Sequence, residues 1–121
     1  MTWNMDKIRE ECLRLMGWRR ETSQNFLDGK TDVIWINKDG IERYEGLPHP
    51  DPLPDPTRSL DDALPLMEKY RLTLRWTPPN EYGWAVEPYA GTDFEHAEYA
   101  PLAVCLCSLR CAGFNLKDFE Q

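Results

Sequence analysis

The chain predicts an α+β fold: a mostly antiparallel sheet with helices packed on it as an α/β/α sandwich, in the order α-ββ-α-ββ(β)-α. Three observations predict it. Three segments repeat apolar residues at helical spacing. Two β-prone runs flank an Asp39-Gly40 turn, as in a β-hairpin. Residues 71–76 alternate polar and apolar with period two. Hairpin-linked strands separated by helices belong to the α+β class. At 121 residues the chain makes a single domain, 1–121.

Residues 4–16 read as the first helix. Met5, Ile8, Cys12, Leu15 and Met16 recur on one side, with charges between them. Asn4 is the expected N-cap, and Asp6 suits the positive end of the helix dipole. Gly17 marks a left-handed C-terminal cap, after which Trp18 folds back on the last turn. Residues 19–31 are polar and contain glycine, so they read as a loop.

Asp32 to Ile36 and Ile41 to Tyr44 form the hairpin strands around Asn37-Lys38-Asp39-Gly40. The first of them is apolar on both faces and so reads as covered on both sides. Residues 46–58 place proline at every second position from Pro48 to Pro56. Proline removes amide donors and holds its predecessor extended, which predicts a strap across the surface.

Ser59 is the expected N-cap of the second helix, with Asp62 in the capping-box position and Leu60, Ala63, Leu64 and Met67 on its apolar face. Pro65 conflicts with that helix at a cost of ~3 kcal/mol, so the reading is a kink or a start near Ala63. Leu72, Leu74 and Trp76 share a strand face; Thr77 to Asn80 break the run, and 82–87 return antiparallel. Phe94 to Tyr99 read either as a short edge strand or as a loop. Pro101 suits the first position of a third helix, which ends at Gly113 and is apolar almost all round, hence the most buried. A tail over 115–121 follows, docked by Phe114 and Phe119.

Composition excludes several classes. Apolar residues are 41% and charged residues 29%, which rules out collagen-like, low-complexity and disulfide-scaffold chains. Fourteen Lys+Arg against 21 Asp+Glu give a net charge of −7. That balance opposes non-specific nucleic-acid binding and docking on an anionic membrane. The longest apolar run, 103–107, is far short of the ~18 residues of a membrane span. Charges at Asp6, Lys7, Arg9, Glu10 and Glu11 interrupt the N-terminus, unlike a signal peptide. A cytoplasmic location with four reduced cysteines is therefore expected.

Three segments together resemble a known family. They are Leu15-Met16-Gly17-Trp18 closing the first helix; Pro54-Asp55-Pro56-Thr57-Arg58-Ser59-Leu60-Asp61-Asp62-Ala63 running into Leu66-Met67-Glu68-Lys69; and Ala100-Pro101-Leu102-Ala103-Val104-Cys105 with Leu109 and Ala112. Their pattern is similar to the phage ABA sandwich domain family of small phage and prophage proteins. Pro65 and the proline-alternating strap depart from it. The resemblance implies a small bacteriophage protein working in a bacterial host cytosol. It implies no common chemistry, so no catalytic residue carries over.

The residues themselves favour no catalyst. Cys105, Cys107 and Cys111 form C-x-C-x3-C, which one straight helix cannot converge on a metal; with Cys12 they read as buried apolar thiols. His49 lies in the strap, and His96 is flanked by Glu95 and Glu98; local hydrogen bonding or solvent is the plainer reading of both. Asp61 and Asp62 suit a first helical turn, and Asp93, Glu95 and Glu98 a solvated edge. There is no phosphate loop, dinucleotide fingerprint, nucleophile elbow or zinc-protease motif. No cofactor and no metal are expected.

The aromatics stand out: five Trp and five Tyr. Trp35, Trp76 and Trp84 read as core, while Trp3, Trp18, Tyr44, Tyr82, Tyr89 and Tyr99 cannot all be fully buried. Exposed aromatics beside arginine supply rigid contact area for a protein or a stacking platform for a base. The expected role is a non-enzymatic binding protein that acts on a host component and self-associates. It would sequester a small nucleotide-like signal, as a counter-defence protein does, or bind a host protein. Trp18, Arg19, Arg20, Arg71, Arg75 and Trp76 are the candidate ligand-binding residues. The rivals are a DNA mimic that inhibits a host DNA-binding protein, which the negative charge permits, and a small enzyme using His and Glu.

Overall fold

The structure, a computed structural model, describes residues 2–24, 27–76, 84–88, 95–97 and 99–121. It has an α+β fold with antiparallel sheets. The elements run α1 (Met5–Leu15), β1 (Arg19–Gln24), β2 (Thr31–Ile36), β3 (Glu42–Tyr44), α2 (Leu60–Tyr70), β4 (Leu72–Trp76), β5 (Trp84–Pro88), β6 (Glu95–Ala97) and α3 (Ala100–Cys111), then a 3-10 turn over Leu116–Phe119. The strands form two three-stranded sheets, β1-β2-β3 and β4-β5-β6.

α1 begins where expected. The Asn4 side chain accepts from the amide of Lys7 at 3.2 Å, and Asp6 lies in the first turn. It ends in a Schellman motif. Gly17 sits at φ +99°, its amide donates to Arg14 at 3.1 Å, and the Trp18 amide reaches back to Leu13 at 2.9 Å. α3 closes the same way, with Gly113 at φ +95° and the Phe114 amide 3.0 Å from the Leu109 carbonyl.

The loop expected over 19–31 is corrected: residues 19–24 form β1, paired in register with β2 from Arg19↔Ile36 to Gln24↔Thr31. All six β1 side chains are exposed. A strand wet on both faces shows no alternation, so periodicity misses it; its ladder to β2 holds it extended. The 32–36/41–44 hairpin is present, and β2 is the central strand of its sheet. Trp35 is buried there, with its indole N–H 2.7 Å from the Glu45 carboxylate and the Arg14 guanidinium over its ring.

The second helix runs from Leu60 with Pro65 inside it, not from Ala63. Ser59 caps it by accepting from the Asp62 amide at 3.3 Å. Asp62 does not close a capping box on Ser59; its carboxylate accepts from the Asp55 amide at 2.9 Å instead. The strap is no purely surface feature: Pro56 and Thr57 are buried, and the Cys105 thiol donates to the Pro56 carbonyl at 3.1 Å.

In the second sheet Leu72 is buried and Leu74 half-buried while Thr73 and Arg75 are exposed, the alternation expected of β4. β5 is antiparallel to β4, and residues 95–97 are a strand, β6, antiparallel to β5. The expected break at 77–80, Tyr82, Tyr89, Asp93, Phe94 and Glu98 lie outside the described residues, as do the side chains of Trp76, Glu95 and His96.

α3 is the most buried helix, with every residue from Leu102 to Leu109 inside. Pro101 is its second residue rather than its first. One core cluster joins Ile8 and Cys12 of α1, Leu66 of α2, Val86 of β5, the α3 residues and Phe119. Phe119 meets Phe114 edge-on at 5.7 Å, and Trp3 bridges to Glu120, which docks the tail beside the N-terminus. Cys12, Cys105 and Cys107 are buried; Cys111 is exposed, contrary to the expectation of four buried thiols, because the last turn of α3 leaves the core.

Candidate functional site

The six sequence candidates lie in two groups. Trp18 is half-buried behind the α1 cap. Arg19 and Arg20 follow on β1, where consecutive side chains point to opposite faces. Arg19 Nε is 2.9 Å from a Glu21 oxygen, and Arg20 Nε is 3.9 Å from Glu45. Arg71 caps α2 in the left-handed region at φ +51°, and Arg75 is on the exposed face of β4. The Trp76 backbone pairs with Trp84 in the second sheet. Among the described residues no hydrogen bond or ion pair joins the Arg19–Arg20 pair to Arg71 or Arg75.

A different set of residues builds a cleft of ≈ 390 Å³ where the N-termini of all three helices meet. Met5 opens α1, Thr57 and Arg58 directly precede the α2 cap, and Tyr99 is the α3 cap residue, followed by Ala100 and Pro101. Trp84, the first residue of β5, lies half-buried against them. Tyr99 is 62% exposed and Met5 37%.

Hydrogen bonds from the strap hold this cleft. Asp55 Oδ1 accepts from the Thr57 amide at 3.1 Å and the Thr57 hydroxyl at 2.6 Å. The Asp55 amide is held by Asp62, and the Pro56 carbonyl by Cys105. Strap, α2 and α3 are thereby tied together under the cleft. Arg58, with Nε 3.8 Å from Asp55, keeps its side chain largely in solvent.

The electrostatics of the three helix ends differ. α1 has Asn4 and Asp6, and α2 has Ser59, Asp61 and Asp62. α3 has no side-chain cap and no acid in its first turn. Among the described residues its positive dipole end has no compensating side chain. Among the described residues the lining carries no histidine, carboxylate or thiol, and its hydroxyls are those of Thr57, bonded to Asp55, and Tyr99. Its chemistry is that of contact: a thioether, an indole, a phenol and one guanidinium.

A second cleft has a structural contact beside it. This larger cleft, ≈ 520 Å³, lies between the end of α1 and α2 and holds Lys38, Glu68 and Lys69. The Lys69 ammonium donates to the Leu15 carbonyl at 2.8 Å and so caps α1. His49 Nδ1 accepts from the Asp51 amide at 2.9 Å, a local turn contact in the strap. Among the described residues no three His, Cys, Asp or Glu side chains gather as metal ligands. Among the described residues two groups depart from their ordinary acidity. The Cys105 thiol is held well above it, by its contact with the Cys12 thiol first and by burial second. Tyr70 is raised by burial first, then by the nearby Cys111 and Cys12.

Sequence reasoning named Tyr99 and Trp84 as aromatics but did not join them to Met5 and Thr57. The four come from separate segments, and only the packing of the helix ends brings them together. No helix among the described residues is long and apolar enough to cross a membrane. Comparison with family models, with curated proteins and with solved structures finds no match.

Proposed function

We propose that this chain is a non-enzymatic binding protein of the small phage or prophage type, which acts on a host protein in the bacterial cytosol. The docking centre is the cleft at Tyr99. The observation that carries the reading is Tyr99, 62% exposed, beside Met5, 37% exposed, over a half-buried indole in one cleft. Rigid aromatic surface around a small pocket is how interfaces seat an apolar or aromatic anchor from a partner. The phage setting rests on the resemblance of residues 15–18, 54–69 and 100–112 and is an association rather than a site argument.

The test is capture from a bacterial lysate followed by titration of the captured protein. Tyr99→Ala with Met5→Ala is expected to weaken its binding at least about tenfold, the loss typical of one interface anchor. Equal capture and affinity for the variant would remove the cleft from the interface.

The uncapped α3 end beside Arg58 favours a second reading, in which the ligand is a small nucleotide-like signal and the role is counter-defence. Tyr99 would then stack a base, and the helix end with Arg58 would meet its phosphate. Native mass spectrometry of the protein purified from bacteria separates the two. Extra nucleotide-sized mass that Arg58→Ala removes supports the signal reading, and a bare chain that retains a captured protein supports the first.

A further inference from the structure

We propose that β1 pairs antiparallel with β1 of a second copy, about a two-fold axis through Thr22, joining two three-stranded sheets into one of six strands. The argument starts from the ladder. The Glu45 amide donates to Val33 at 2.9 Å and the Asn37 amide to Ile41 at 3.0 Å. In the β2–β3 register, Val33 stands opposite Glu45 and Asn37 opposite Ile41, so the odd residues of β2 turn their backbone groups toward β3. The even residues Asp32, Ile34 and Ile36 therefore face β1, where they pair with Ser23, Glu21 and Arg19. That leaves the N–H and C=O groups of Arg20, Thr22 and Gln24 on the outer edge. Among the described residues β1 is the terminal strand of its sheet, and all six of its side chains are exposed. It contains no proline or lysine, and the charges that would guard such an edge, Arg19, Arg20 and Glu21, all lie in its first half.

The sequence of β1 is complementary to itself in one register. Its first half, Arg19-Arg20-Glu21, is charged, and its second half, Thr22-Ser23-Gln24, is neutral. Pairing through Thr22 sets each charged half against the neutral half of the other copy: Arg20 opposite Gln24, Glu21 opposite Ser23, Thr22 opposite Thr22. All three outward residues of each strand then bond. Sliding the pair one residue toward the N-terminus sets Glu21 against Glu21, and two residues set Arg20 against Arg20; like charges directly opposite are destabilising. Sliding the other way shortens the ladder. Such a two-fold contact is closed, so it gives a dimer and no fibre.

Sedimentation equilibrium of the full chain tests this. The wild type is expected at twice the 14.2 kDa chain mass. Thr22→Pro deletes an outward amide that β2 does not use, so it is expected to give a monomer with an unchanged circular dichroism spectrum. Thr22→Glu and Thr22→Lys each place like charges across the axis and are expected to weaken the dimer about tenfold. Mixed one to one, those two variants are expected to recover the dimer, a result that a folding defect would not produce. A wild type that stays monomeric at its highest soluble concentration overturns the proposal, and so does a dimer indifferent to all three substitutions.

Discussion

The backbone amide of Asp55 donates to the carboxylate of Asp62 at 2.9 Å, across seven residues and around the entire N-terminus of α2. An acid in this position ordinarily reaches back to the cap residue itself. Here it reaches past Ser59 to the strap, while Ser59 caps the helix alone. One carboxylate thus fixes both the start of α2 and the strap under the Tyr99 cleft.

Asp62→Ala removes that acceptor and leaves a half-buried amide unpaired. The expected loss is about 1–2 kcal/mol by urea unfolding. Asp62→Asn keeps an oxygen at the same place and is expected to lose less than half as much. Equal losses for the two would mean that the negative charge, and not the hydrogen bond, is what α2 uses.

Gly17 is fixed by its conformation rather than by crowding. Its φ of +99° is needed for the two amide bonds that close α1. A Cβ there would meet only the Lys38 side chain at 3.8 Å, an ordinary contact. Gly17→Ala is expected to cost about 1–2 kcal/mol, the penalty for a left-handed L-residue. Shortening Lys38 as well, in Gly17→Ala with Lys38→Ala, is expected to recover none of it. Recovery would show a steric cause.

The elements most legible in sequence are those with one wet face. α1 and β4 alternate between core and solvent, β2 is a β-prone run ahead of an Asp39-Gly40 turn, and the caps Asn4, Gly17 and Ser59 are visible as residue types. β1 is polar on both faces and so lacks that signal, although Asp28-Gly29 ahead of Thr31 is a turn cue that points to a hairpin. Gly29 does stand at φ +73°. The cleft was hidden for another reason: each of its residues has a sufficient local explanation as helix opening, cap or core. Adjacency to tryptophan in sequence, which marks Arg19–Arg20 and Arg75, says nothing about tertiary placement, and β1 and β4 belong to different sheets.

The thiols make a pH-dependent prediction. Cys105 and Tyr70 both bind their protons more tightly in the folded chain than at the ordinary values of 9.0 and 10.0. Between unfolded and folded pKa the native state holds more protons, so stability falls as pH rises. Their contribution is complete below pH 9.0 and is lost progressively above it. Urea midpoints are expected to be level from neutral to mildly alkaline pH and to drop beyond. In Cys105→Ala the drop is expected to be shallower and to start later. An identical alkaline profile in that variant would assign the effect to other groups.

Pro65 offers the opposite sign. It is the sixth residue of α2, exposed, and without an amide to donate back to Asp61. A proline inside a helix costs ~3 kcal/mol, against which its rigidity in the unfolded chain returns ~1 kcal/mol. Pro65→Ala is therefore expected to stabilise the protein by about 2 kcal/mol in urea unfolding. The side chain also lines the cleft between α1 and α2 beside Leu15 and Met16. If that contact outweighs the missing bond, the substitution leaves stability unchanged or lowers it. In that outcome Met16→Ala would lose less in the Pro65→Ala background than in the wild type, because the two changes share one contact.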